Sequence, residues 1–139
     1  MSPAPKTRTQ ACSGDDARKR LQDARKFLEI AEMVDDEPAV ISAGVSASLA
    51  VLAGIAASDA ACCAALGLRS RGDNHDEAVA VLRRIRGATD AANALQRLLR
   101  IKNDAQYGLG AISASKRDAA LRRAGKLVDL AEHTLANAF

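Results

Sequence analysis

Large flat side chains are almost missing: the 139 residues include two Phe, one Tyr and no Trp, so aromatics make up 2% of the chain. No core can be built on ring stacking, and a single-stranded nucleic acid held by base stacking would find few platforms. Cysteine is equally scarce. Cys12 stands in the leading stretch while Cys62 and Cys63 are adjacent, with no C-x-x-C and no His at ligand spacing. Neither a disulfide framework nor a metal site is therefore expected, and no cofactor. Gly-rich phosphate loops, G-x-S-x-G and H-E-x-x-H are absent too, which removes the usual signatures of nucleotide hydrolases, esterases and zinc peptidases. The opening MSPAPKTRTQAC carries Pro and basic residues but no apolar run. It reads as a disordered basic tail over residues 1–13, not a signal peptide, and the expected address is cytoplasmic.

What is abundant is small and aliphatic. Apolar residues reach 48% of the chain, nearly all of them Ala, Leu, Val and Ile, which points to close packing of helices through small side chains. The length suits one domain, placed at residues 14–139. Charge is unevenly spread. Residues 27 to 37 carry Glu29, Glu32, Asp35, Asp36 and Glu37, whereas Arg69 to Lys126 holds thirteen Lys and Arg against six Asp and Glu, a local excess of +7. Such an excess suits a polyanion, although a solvated helix face would look the same. The segment from Pro38 to Ser58 is uncharged over about twenty residues, the length that spans a bilayer. Its Ala, Ser and Gly content, and the continuation of the helical pattern through Asp59 to Leu66, favour a buried central helix without membrane contact.

Periodicity yields five helices. Ser13 with Asp16 makes a capping signal for a first helix over 15–34, with Leu21, Ala24, Leu28 and Ala31 on its stripe. Pro38 suits the first turn of a second, whose stripe of Val45, Leu49, Leu52, Ile55, Ala56, Cys62 and Leu66 runs to Gly67. Asn74 and Glu77 form a capping pair for a short helix through Ala78, Val81, Leu82 and Ile85, ended by Gly87. Thr89 is the expected cap of a fourth, carrying Ala91, Leu95, Leu98, Lys102 and Ala105 and stopping at Gly108 or Gly110. Ser115 and Asp118 open the last, with Leu121, Ala124, Val128, Ala131 and Leu135. With no strand-like alternation and short connections, the expected fold is an all-α, single-domain antiparallel bundle.

Two charged residues interrupt apolar stripes. Asp59 falls ten residues after Leu49 and seven before Leu66, and Lys102 falls four beyond Leu98, so each is expected inside and the two are expected to pair. One account is a buried ion pair that fixes helix register. The other is a polar pocket that admits a ligand phosphate or base, with Asp59, Arg69, Arg71, His75 and Lys102 as ligand-binding residues. On the other side of the fourth helix, Asn93, Gln96, Arg100, Asn103 and Tyr107 share a polar sector open to solvent, a second subunit or nucleic acid. His75 lies in the acidic string GDNHDE, where capping explains its neighbours better than metal binding does. His133 is expected to be exposed.

The stretch LLRIKNDAQYG, followed by the Ala-rich RDAALRRAGKLVDLAEHTL, resembles the motif helix of HEPN domains, and ASDAACCAALGLRSRG resembles the end of their long helix. The likeness extends over roughly residues 15 to 137. It implies a bundle that forms homodimers, found among bacterial toxin-antitoxin and defence proteins. Some members are metal-independent RNases using an Arg followed four to six residues later by His; others are non-catalytic modules for nucleotides, nucleic acid or a partner protein. If active, the catalytic set would be Arg100, Lys102, Asn103 and Tyr107. The place of the family's histidine falls among Ala105, Gln106 and Tyr107, and a phenol with a pKa near ~10 is a poor base. The resemblance therefore implies a non-cleaving module that engages nucleic acid (RNA-binding), a nucleotide or a partner protein through the surface around Arg100, Lys102, Asn103 and Tyr107, with an RNase and a purely structural helical partner as the competing readings.

Overall fold

In the computed structural model of the chain, residues 8–34, 39–71, 74–107 and 112–138 are described, with the backbone alone for 39–42 and 103–107. Among the described residues, five helices and one small two-stranded sheet form an all-α bundle. Residues 8–13 of the stretch expected to be a disordered tail are among those described. Thr9–Ala11 forms strand β1, which pairs antiparallel with β2, Leu68–Ser70, in the register Thr9 to Ser70, Gln10 to Arg69 and Ala11 to Leu68. Against expectation, Cys12 and Cys63 are joined in a disulfide, while Cys62 remains a buried free thiol pushed up to about 12 by burial and by the Asp59 carboxylate. Spacing could not show this bond, because the two cysteines stand 51 positions apart and are brought together by the course of two helices.

Helix α1, Gly14–Val34, starts from the expected capping pair: the Asp16 amide donates to Ser13 Oγ at 3.1 Å and the Ser13 amide to Asp16 Oδ2 at 2.8 Å. Helix α2, Ala39–Leu66, runs antiparallel to it, since Arg20 meets Asp59 at one end and Ser46 Oγ donates to the Ala31 carbonyl at the other. Gly67, at φ 69°, ends α2 and turns the chain into β2. Helix α3, His75–Leu82, is capped by Asn74, whose side chain accepts from the amides of Asp76 and Glu77. Helices α4, Thr89–Tyr107, and α5, Ala114–Ala138, complete the bundle. Two caps differ from expectation. The Ala88 carbonyl, not Thr89, receives the first bond of α4, and Ser113, not Ser115, accepts from the Lys116 amide to open α5. The expected stop at Gly108 or Gly110 lies outside the described residues.

Helix α2 is the core of the bundle, packed against α1, α4 and α5. Its expected stripe is only partly correct: Val45 and Leu52 are exposed, while Ala43, Ala47, Ala50, Ala53, Ala57, Ala60 and Ala61 are buried. A helix covered on three sides has no single narrow stripe, and close approach is reached through alanine and glycine, leaving longer side chains at the margins. At Gly54 an added Cβ would lie 2.6 Å from Leu98 Cδ1 and 3.2 Å from Leu127 Cδ1, so α4 and α5 both touch the α2 backbone there. The segment Ala43–Leu66 is long and apolar enough to cross a membrane, and 67% of its most apolar stretch is buried within the fold.

Candidate functional site

Where α1, α2, β2, α3 and α4 converge, a polar cavity of about 300 Å³ opens. Its charged and polar walls come from Arg20 of α1, Ser58 and Asp59 of α2, Arg69 and Ser70 of β2 with Arg71 and Asn74 beyond it, His75 of α3 and Lys102 of α4. Ile55, Ala78, Leu95 and Leu99 form the apolar part of the lining. Asp59 stands at the inner wall, 9% exposed. Its Oδ2 accepts from Arg20 Nη2 at 3.1 Å and Nε at 3.2 Å, and from Arg69 Nη1 at 3.5 Å. Burial nevertheless outweighs the two guanidiniums and raises the carboxyl above its ordinary value of 3.8. Lys102 Nζ lies 3.3 Å from His75 Nε2, so an ammonium donating there selects the tautomer with hydrogen on Nδ1.

The expected pair of Asp59 and Lys102 is thus not formed. Arg20 flanks the buried stripe of α1 between Ala17 and Ala24 and reaches Asp59 first, while Arg69, extended along β2, takes the same oxygen. Lys102 shares the cavity and turns to the imidazole. Four cations, Arg20, Arg69, Arg71 and Lys102, face the single carboxylate of Asp59, which leaves an excess of positive charge. One more group lacks a partner: Ser70 Oγ is buried with no hydrogen bond among the described residues. An unsatisfied buried hydroxyl costs about 1–3 kcal/mol. Arg71 and Lys102, both on the cavity wall, are donors suited to an oxyanion there.

No known protein-family model matches the chain, and no curated protein matches it.

All five residues expected to bind a ligand, Asp59, Arg69, Arg71, His75 and Lys102, line this one cavity. The expected catalytic set does not gather in the same way. Arg100 is exposed and borders a second depression of about 250 Å³ with His75, Asp76, Val79, Gln96 and Leu99, on another side of α4 from Lys102. The side chains of Asn103 and Tyr107 lie outside the described residues. Asn93 accepts from Arg83 Nη2 at 2.9 Å, a link between the turn after α3 and the face of α4. His133 is exposed and contacts Asn137. Among the described residues no three His, Cys, Asp or Glu side chains gather to hold a metal ion. Sequence reasoning missed Arg20, Ser58, Ser70 and Asn74 as cavity residues. Only Arg20 carried a signal, its place at the edge of an apolar stripe opposite a buried acid.

Proposed function

We propose that this chain is a HEPN-like binding module that takes the phosphate of an RNA strand or nucleotide in the cavity between α2, β2, α3 and α4, without cleaving it. The observation that carries the reading is the convergence of five separate elements on one cavity with four cations, one carboxylate and an unpartnered Ser70 hydroxyl. Arg71 and Lys102 make no ion pair with a carboxylate among the described residues, so their charge is free to meet a phosphate. The guanidinium offers two parallel donors and the ammonium a compact charge. A cytoplasmic homodimer fits the same reading. Exposed Ile30 and Met33 near the end of α1, with Val45 and Leu52 on α2, are apolar side chains that a second subunit would cover.

The test is the anisotropy of a fluorescein-labelled single-stranded RNA at rising protein concentration and at several salt concentrations. Wild type is expected to bind with a salt slope that falls by roughly 0.7 for each phosphate contact removed. Arg71→Ala with Lys102→Ala is expected to weaken binding more than ten-fold while leaving the helical signal intact. Equal affinity in the double variant would refute the cavity as the binding site. The competing reading, RNA cleavage, would use the imidazole of His75, whose Nε2 acts as a base only when released from the Lys102 ammonium 3.3 Å away. RNA recovered uncut from the same incubation removes that reading; cuts abolished in His75→Ala would establish it.

A further inference from the structure

The disulfide and the cavity share a strand. β2 delivers Arg69, Ser70 and the following Arg71 to the cavity, and its partner is β1, three residues long. A two-stranded ribbon of this length has little stability of its own. Around it the Cys12 amide donates to the Gly67 carbonyl and the Arg71 amide to the Arg8 carbonyl, each at 3.0 Å. The covalent tie is Cys12 to Cys63, which fixes the end of β1 to the buried last turn of α2. Beside it a cleft of about 140 Å³ is lined by Gln10, Ala11, Cys12, Asp16, Lys19, Arg20 and Arg69, so the half-buried Cys12 borders open space while Cys63 is 3% exposed. Arg20 and Arg69 belong to both the cleft and the cavity.

We propose that the Cys12–Cys63 disulfide is a redox latch that holds β2, and with it Arg69 and Arg71, in the binding position. The effect on ligand rests on the function proposed above; the effect on the strand does not. The reductant is a small dithiol. Its thiolate enters the cleft, where Lys19, Arg20 and Arg69 stand beside the one carboxylate of Asp16, and attacks Cys12 Sγ. The S–S bond breaks, its electron pair leaves on Cys63 Sγ, and that sulfur takes up a proton. The second thiol of the reductant then displaces Cys12 as a thiol, leaving the dithiol oxidised to its own disulfide. The neighbouring Cys62, its thiol pushed up to about 12, stays protonated and does not enter the exchange. With the latch open, β1 is held only by its short ladder, and the edge of the cavity loosens.

The experiment compares the full chain, oxidised and after treatment with dithiothreitol, by amide hydrogen exchange and by the labelled-RNA anisotropy assay. On reduction the amides of Cys12 and Arg71 are expected to exchange at least ten-fold faster while those of α5 keep their protection, and RNA affinity is expected to fall at least ten-fold. Cys12→Ser should show the fast pattern in both conditions. Unchanged exchange at Arg71 on reduction would overturn the latch, as would loss of protection throughout α5, which would make the bond a support of the whole fold. If the oxidised chain binds no RNA yet Arg71 exchange responds, the latch stands and the ligand reading falls.

Discussion

Asp59 shows how one side chain can set the character of a site. Placed on the innermost helix, it is desolvated, and two arginines recover only part of that cost. The raised carboxyl has a definite consequence for pH. Ionising Asp59 is harder in the fold than in the unfolded chain, so its contribution to stability is complete below 3.8 and is lost as pH rises through the raised folded value. Asp59→Asn has no such titration. The unfolding free energy of wild type minus that of the variant, from urea denaturation at a series of pH values, is therefore expected to fall as pH rises from below 3.8 and then level off. A difference that grows with pH would mean that Arg20 and Arg69 dominate. The burial of this acid was legible in its register with Leu49 and Leu66, but its partners were not. Helical spacing says which face a residue occupies and nothing about which neighbouring element has an arm long enough to reach it. Arg20, 39 residues away on α1, and Arg69, only ten residues further on in β2, hold the carboxylate in place of Lys102.

At the scale of elements, the bundle depends on α2 being small enough to be surrounded. Gly54 marks the closest approach, under Leu98 of α4 and Leu127 of α5, both fully buried. Gly54→Leu must displace both and is expected to lower stability by about 1–3 kcal/mol. Gly125, on α5, has nothing within 4 Å of an added Cβ, and Gly125→Ala is expected to raise stability by up to about 1 kcal/mol through helix propensity alone. Thermal denaturation of the two variants beside wild type checks both signs. The five helices were readable because capping residues and apolar periodicity agree, as Ser13 and Asp16 show for α1 and Asn74 for α3. The strands were not. Three residues at β1 and three at β2 are too few to show alternation, and their pairing joins segments far apart in the sequence, beside a disulfide between distant cysteines.

For the molecule as a whole, the sequence signs of a site survive in a rearranged form. Asp59, Arg69, Arg71, His75 and Lys102 were singled out for breaking stripes or lying in polar loops, and the fold brings all five to one cavity. Arg100 is turned away from Lys102 by the helical rotation over two residues and faces a different depression. The positive excess between Arg69 and Lys126 is likewise divided. Part of it lines the cavity, and part forms a group of Arg97, Arg123 and Lys126 between α4 and α5, where burial and the neighbouring Arg97 and Arg122 lower the pKa of Arg123. The most direct measurement is a titration of isotope-labelled protein with adenosine monophosphate, followed by amide and side-chain NMR shifts. The account predicts that the shifts centre on Arg69, Ser70, Arg71, His75 and Lys102. Shifts centred on Arg97, Arg123 and Lys126 instead, or none at any concentration, would contradict it.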